Sequence, residues 1–174
     1  MRKILIVVDM QNDFVHGVLG SAEARAIIPN IIEKIRSAGA EDKVILTRDT
    51  HSADYTNSLE GKYLPVEHCI KGTEGWQIIP ELLDLEANGV VNKYTFGYRD
   101  WPEIFEFEDI DELEFELCGV CTDICVVSNT LALRMFYPDA KITVDASCCA
   151  GVTPEKHKAA LEVMKSCQIE VINE

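Results

Sequence analysis

Six short apolar runs, separated by segments of helical period, constrain the fold of this chain more than any other feature. Ile4 to Val8, Val44 to Leu46, Val90-Val91, Leu113 to Cys118, Ile142 to Val144 and Ile169 to Ile172 are rich in β-branched or alternating apolar residues and read as strands. Between them, Ala22 to Ala38 carries Ile27, Ile28, Ile31, Ile32 and Ile35 on one helical stripe and meets a stop at Gly39. Gln77 to Leu85 and Asp123 to Phe136 read as further helices. Thr153 caps a last helix that Pro154 opens and that runs to Cys167. This alternation predicts an α/β fold: an open, mostly parallel six-stranded sheet with helices on both faces. The 174 residues suit a single domain, 1–174, with a core that needs no disulfide or metal staple.

Charge excludes whole classes of partner. The formal net charge of −14, with no Lys/Arg cluster to reverse it locally, repels phosphate backbones and anionic lipid, so no nucleic acid and no membrane is expected. No apolar stretch approaches the roughly 20 residues that cross a bilayer. The acidic segment Glu103 to Glu116 reads as a solvated face. Met1-Arg2-Lys3 followed by Ile4 to Val8 fits a buried strand better than an export signal. Seven cysteines then point to a reducing, cytoplasmic setting in which thiols are free.

In open α/β sheets ligands bind outside the carboxyl ends of the strands, where Asp9, Asp49, Lys93 and Cys121 to Cys125 all fall. Cys125 opens a helix, where the helix dipole favours thiolate and lowers a thiol pKa. Taken alone it reads as well as a small buried hydrophobe, or with Cys121 as half a metal site. Asp9 and Lys93 alter that balance, because a nucleophilic thiol needs a base for its proton and a cation beside its charge.

The long irregular stretch Asp49 to Trp76 holds a second constellation, Asp49, His51, Glu60 and His68. Asp49 and His51 are two apart, so an extended backbone puts both on one face. Such nitrogen and oxygen donors suit one divalent metal ion, zinc, manganese or iron; the alternative is a set of polar loop residues at the surface. Cys148-Cys149 reads as buried thiols, and spacing gives no partner for His16 or for His157, which falls on an exposed-looking helix.

Val8-Asp9-Met10-Gln11-Asn12-Asp13-Phe14 and Gly119-Val120-Cys121-Thr122-Asp123-Ile124-Cys125-Val126 resemble the opening and nucleophile motifs of the isochorismatase-like cysteine hydrolases. Asp49-Thr50-His51, His68 to Thr73 and Lys93 fall between them in the family's order, and the metal spacing resembles the nicotinamidase subset. The resemblance implies an amidohydrolase that converts nicotinamide to nicotinate and ammonia through a cysteine thioester. It assigns Asp9 as general base, Lys93 as the cation and Cys125 as nucleophile, with the Cys121 and Cys125 amides as oxyanion hole and a cis Val120–Cys121 peptide. Asp49, His51 and His68 match metal ligands, zinc foremost, with Glu60 as fourth ligand and Asp54 as its competitor. Phe14 is the expected ring-stacking wall; for Tyr63, Tyr98 and Trp101 a core or surface role is the better reading.

The segments Tyr63 to Glu67 and Tyr94 to Tyr98 depart from the commonest nicotinamidase pattern. Hydrolysis of another small amide, carbamoyl or ureido compound is therefore the alternative, and a non-catalytic metal- or ligand-binding protein on the same scaffold is a second. A small-molecule amide is the expected partner, and the resemblance allows a homo-oligomer.

Overall fold

The computed structural model describes residues 1–174. Its elements are β1 (Arg2–Val8), α1 (Asn12–Val15), α2 (Ala22–Ala26), α3 (Ile28–Arg36), β2 (Lys43–Asp49), α4 (Leu59–Tyr63), α5 (Pro80–Leu83), β3 (Gly89–Lys93), α6 (Trp101–Ile104), β4 (Leu113–Val120), α7 (Val127–Phe136), β5 (Lys141–Ala150), α8 (Pro154–Ser166) and β6 (Glu170–Ile172). The six strands form one fully parallel sheet in the order β3-β2-β1-β4-β5-β6. Residues Ile4 to Val8 of β1 are all buried, as are Phe115 to Val120 of β4, so both faces of the central strands are covered.

The chain winds outward from β1 to β3, then returns to lay β4 on the other side of β1. That reversal opens a crevice at the carboxyl ends of β1 and β4, the place where open α/β sheets bind ligands. Asp9 follows β1, Asp49 ends β2, Lys93 ends β3 and Cys121 follows β4.

Several local expectations need correction. The helix predicted over Ala22 to Ala38 is two helices that meet at Ile27, because Pro29 has no amide to continue the ladder and instead opens α3. The helix predicted over Gln77 to Leu85 shrinks to α5, since Ile79 is held extended by the proline after it. Cys125 lies in a π-helical turn, Thr122–Val126, that feeds α7. The stretch after Asp49 is less irregular than predicted: Ser58 accepts from the Gly61 amide and caps α4, which carries Glu60.

The acidic segment is not a solvated face throughout. Glu108 is ion-paired with Arg2 and Lys43. Glu116, at 5% exposure, is bonded to Lys34 and lies 2.8 Å from Lys3, because the middle of β4 runs through the core.

Candidate active site

Three side chains from separate strand ends meet in the crevice. Lys93 Nζ lies 2.7 Å from Asp9 Oδ2, 3.2 Å from Asp49 Oδ1 and 3.3 Å from Cys125 Sγ. Asp9 and Lys93 are wholly buried and Cys125 is 4% exposed. Thr47 Oγ1 donates to Asp9 Oδ1 at 2.6 Å and accepts from the Asp9 amide at 3.2 Å, fixing one carboxylate oxygen. The other carboxylate oxygen, Oδ2, faces the Lys93 ammonium at 2.7 Å.

The backbone turns needed to bring these groups together have local causes. Asp9 takes a left-handed φ of 50°, a region that Asp tolerates better than most residues, and so turns the chain sharply off β1. Gly119 has φ +112°, and a Cβ there would sit 2.1 Å from the Val8 carbonyl oxygen, so only glycine lets β4 approach β1 this closely. The Val120–Cys121 peptide is cis, and the Cys121 amide donates to no backbone or side-chain acceptor.

Electrostatics correct one expectation. The helix start was expected to lower the Cys125 pKa; instead burial pushes it well above the ordinary thiol value, and Lys93 offsets this only in part against Asp9 and Asp49. Burial also lifts the Asp9 carboxyl, with Lys93 pulling the other way, which makes Asp9 a stronger proton acceptor than an exposed aspartate. Burial would neutralise Lys93, but Asp9, Cys125 and Asp49 outweigh it and keep the ammonium charged.

Beside this set, Asp49, His51, Glu60 and His68 each offer a ligand atom, all within 4.8 Å of one another. His51 Nε2 is 2.8 Å from Asp49 Oδ2 and 3.8 Å from Glu60 Oε1; His68 Nε2 is 3.7 Å from Glu60 Oε1. His68 Nδ1 faces the Val66 carbonyl oxygen at 2.8 Å, which can only accept, so in the neutral ring Nε2 carries its lone pair toward the cluster. Two carboxylates and two imidazoles around one point form a donor set that fits a divalent cation. Asp54 is bonded to Ser52 and stands outside the group, so Glu60 is the carboxylate that joins it.

Gln11 and Gly61 support this cluster. The buried Gln11 side chain donates to the Asp49 and Trp76 carbonyls, both at 2.9 Å, and accepts from the Asp49 amide at 2.7 Å. A Cβ on Gly61 would lie 2.2 Å from the Tyr55 carbonyl oxygen, so α4 can pack against that turn only through glycine.

A cavity of about 180 Å³ joins the two groups, with Asp49, Glu60, His68, Cys121 and Cys125 on its polar side. This is below the roughly 300 to 1,000 Å³ of drug-sized clefts and suits a small ligand. Phe14 lines it, its ring centroid 5.4 Å from that of His68. Leu64 and Phe96 supply further apolar wall; each belongs to a segment that departs from the commonest nicotinamidase pattern. Tyr63 is 85% exposed, while Tyr98 packs edge-on against the buried Trp101.

Sequence reasoning missed Thr47, Gln11, Leu64 and Phe96 as contributors. It also left His157 exposed and without a partner, whereas its Nδ1 lies 2.8 Å from Thr122 Oγ1 and the residue is half-buried. His16 pairs with Glu81 at 3.0 Å. Only Thr47, a buried polar residue directly after the apolar run Val44 to Leu46, carried a signal that pattern alone could have raised.

A parallel sheet whose switch point buries a thiol, an ammonium and a carboxylate in mutual contact defines the class of α/β cysteine hydrolases. The Isochorismatase domain model matches residues 3–174, and the chain belongs to that family. It is 30% identical over 207 residues to the nicotinamidase/pyrazinamidase of Mycobacterium tuberculosis, covering 98% of each chain. It is 27% identical over 208 residues to the nicotinamidase of Schizosaccharomyces pombe, covering 98% of this chain and 92% of the relative. Among solved structures, the zinc complex of the pyrazinamidase of Pyrococcus horikoshii superposes with a TM-score of 0.84 at 26% identity, covering 100% of both chains.

Proposed function

We propose that the chain, acting as one domain, is an amidohydrolase that converts nicotinamide to nicotinate and ammonia through a thioester on Cys125. The observation that carries this reading is the contact of Cys125 Sγ with Lys93 Nζ at 3.3 Å, with Asp9 on the same ammonium at 2.7 Å, at the base of a small, largely apolar cavity.

Asp9 accepts the thiol proton as sulfur attacks the carboxamide carbon. Lys93 remains an ammonium throughout and balances the negative charge as it moves from carboxylate to sulfur. The amides of Cys121 and Cys125 donate to the tetrahedral oxygen, an interaction worth about 3 kcal/mol per donor at such sites. Asp9 then passes its proton to the departing nitrogen; the C–N bond breaks, ammonia leaves and the thioester remains. Water attacks the thioester carbon while Asp9 takes its proton, the C–S bond breaks, and the proton returns to sulfur.

Asp49, His51, Glu60 and His68 would hold one divalent ion, zinc in this reading, with manganese or iron suited to the same donors. When bound, the ion supplies a Lewis-acidic contact for the pyridine nitrogen and so orients the ring. Phe14 forms an apolar wall for that ring. Seven free thiols fit a reducing compartment such as the cytoplasm.

The test is ammonia release from nicotinamide by zinc-loaded protein, with benzamide as the analogue lacking the ring nitrogen. Turnover of nicotinamide with a clearly higher KM for benzamide is expected. No ammonia from either, under metal loading, contradicts the substrate; hydrolysis of a different small amide, carbamoyl or ureido compound would keep the thiol chemistry and replace nicotinamide.

A further inference from the structure

Asn129 lies one helical turn beyond Cys125 on α7 and is wholly buried. Its side chain uses every hydrogen bond it can make. Nδ2 donates to the Cys125 carbonyl at 2.8 Å and to the Phe96 carbonyl at 3.1 Å. Oδ1 accepts from the Tyr98 amide at 2.8 Å and from Trp101 Nε1 at 3.1 Å. The two carbonyls can only accept and the two N–H groups can only donate, so the amide has one orientation that satisfies all its partners.

Apart from Asn129, side-chain hydrogen bonds hold the segment after β3 only at Thr95, whose carbonyl accepts from Lys93 Nζ at 3.3 Å and whose Oγ1 donates to the Gly97 carbonyl at 2.6 Å. Phe96 is 44% exposed, so packing alone does not fix its ring. A Cβ on Gly97 would lie 3.1 Å from the Ser128 carbonyl oxygen, so this segment rests directly on the backbone of α7. Trp101, wholly buried, anchors its far end. We infer that Asn129 is a positioning residue that registers the Phe96 wall of the pocket against the turn carrying Cys125, and so sets the fit of the ring-bearing half of the amide substrate. The kinetic part of this inference rests on the proposed amide hydrolysis.

Threonine separates the two arms of the hub. Thr130 Oγ1 already donates to the carbonyl four residues back, that of Val126, at 2.7 Å. Asn129→Thr can make the same bond to the Cys125 carbonyl but loses the links to Phe96, Tyr98 and Trp101. Asn129→Leu loses both arms.

The experiment measures kcat and KM for nicotinamide in wild type, Asn129→Thr, Phe96→Ala and the double variant, together with the rate at which iodoacetamide alkylates Cys125. Asn129→Thr is expected to raise KM about tenfold, with kcat and alkylation changed less than about threefold. The KM effects of Asn129→Thr and Phe96→Ala should fail to multiply in the double variant, because both act on the same wall. Asn129→Leu should in addition slow alkylation and kcat about tenfold; should it fail to fold, the threonine variant carries the test.

A lower melting temperature with wild-type KM in Asn129→Thr would make the hub merely structural and overturn the inference, as would KM effects that multiply. If the wild type releases no ammonia, the functional reading fails separately, and alkylation still decides: equal rates in wild type, Asn129→Thr and Asn129→Leu would overturn the positioning of Cys125.

Discussion

The protein buries ionised side chains in two places, and they are built on opposite principles. Beneath α3, Glu116 is bonded to Lys34 and lies 2.8 Å from Lys3, while Asp145 lies 2.6 Å from Lys34 and accepts from Ser147 and Asn173. Two carboxylates there meet two ammonium groups, and neither carboxylate lines the crevice cavity. In the crevice, Asp9 and Asp49 share the single ammonium of Lys93, Glu60 adds a third carboxylate nearby, and a cavity opens beside them. A saturated buried cluster only holds elements together. An unbalanced one keeps a proton acceptor and a cation site in reserve, which is the condition for chemistry.

Four substitutions sharpen or break that contrast. Cys125→Ala should lower amide turnover at least about ten-thousand-fold while leaving the melting temperature near that of wild type, since it removes the reacting atom and only a small volume; steady-state ammonia release and calorimetry check both halves. Lys93→Met should abolish measurable turnover and also destabilise by about 3 to 5 kcal/mol, because Asp9 and Asp49 are left buried beside each other. Denaturant unfolding reads this, and a stable Lys93→Met protein would show that the crevice charges are not coupled as described.

Glu116→Gln should behave in the opposite way, destabilising by about 3 kcal/mol at neutral pH with kcat and KM within about twofold of wild type. Its pH dependence follows from the shifts. Burial alone would raise the Glu116 carboxyl, but Lys3 and Lys34 hold it below its ordinary 4.5, and Lys34 likewise holds Asp145 below 3.8 against its burial. A depressed carboxyl contributes stability that is complete above its unfolded value and is lost as pH falls through the folded one. The gap between wild type and Glu116→Gln should therefore narrow as pH drops below about 4.5 and should be full at neutral pH. A gap independent of pH would mean that Glu116 acts through packing.

The smallest expected effect belongs to the cation site. Chelation, or His51→Ala, should raise KM for nicotinamide about ten- to hundredfold with a lesser change in kcat if, as proposed, the ion would orient substrate without activating sulfur. A fall in kcat at unchanged KM would move the ion into the chemical step.

The meeting of Asp9, Lys93 and Cys125 was legible because strand ends follow apolar runs that can be counted, so sequence order placed all three in one crevice. The Asp49, His51, Glu60 and His68 group was legible as spacing, yet the choice of Glu60 over Asp54 needed α4, whose capping Ser58 is a local signal that could have been read. The apolar walls were not legible. Leu64 and Phe96 sit in loops, where an apolar residue has no period to reveal which way it faces. The break at Pro29 and the burial of Glu116 were missed because an isoleucine stripe and an acidic run each looked uniform, while the structure treats single residues within them differently. The direction of the Cys125 shift was misread because a helix start acts over a short range, whereas burial acts on the whole charge.

Acid quenching during turnover, followed by mass spectrometry of the peptide that contains Cys125, tests the proposed reaction most directly. A nicotinoyl group on that sulfur, absent in Cys125→Ala and released by hydroxylamine, is the predicted result. Ammonia formed at the wild-type rate with no acyl group on Cys125 at any quench time, or formed equally by Cys125→Ala, would contradict it.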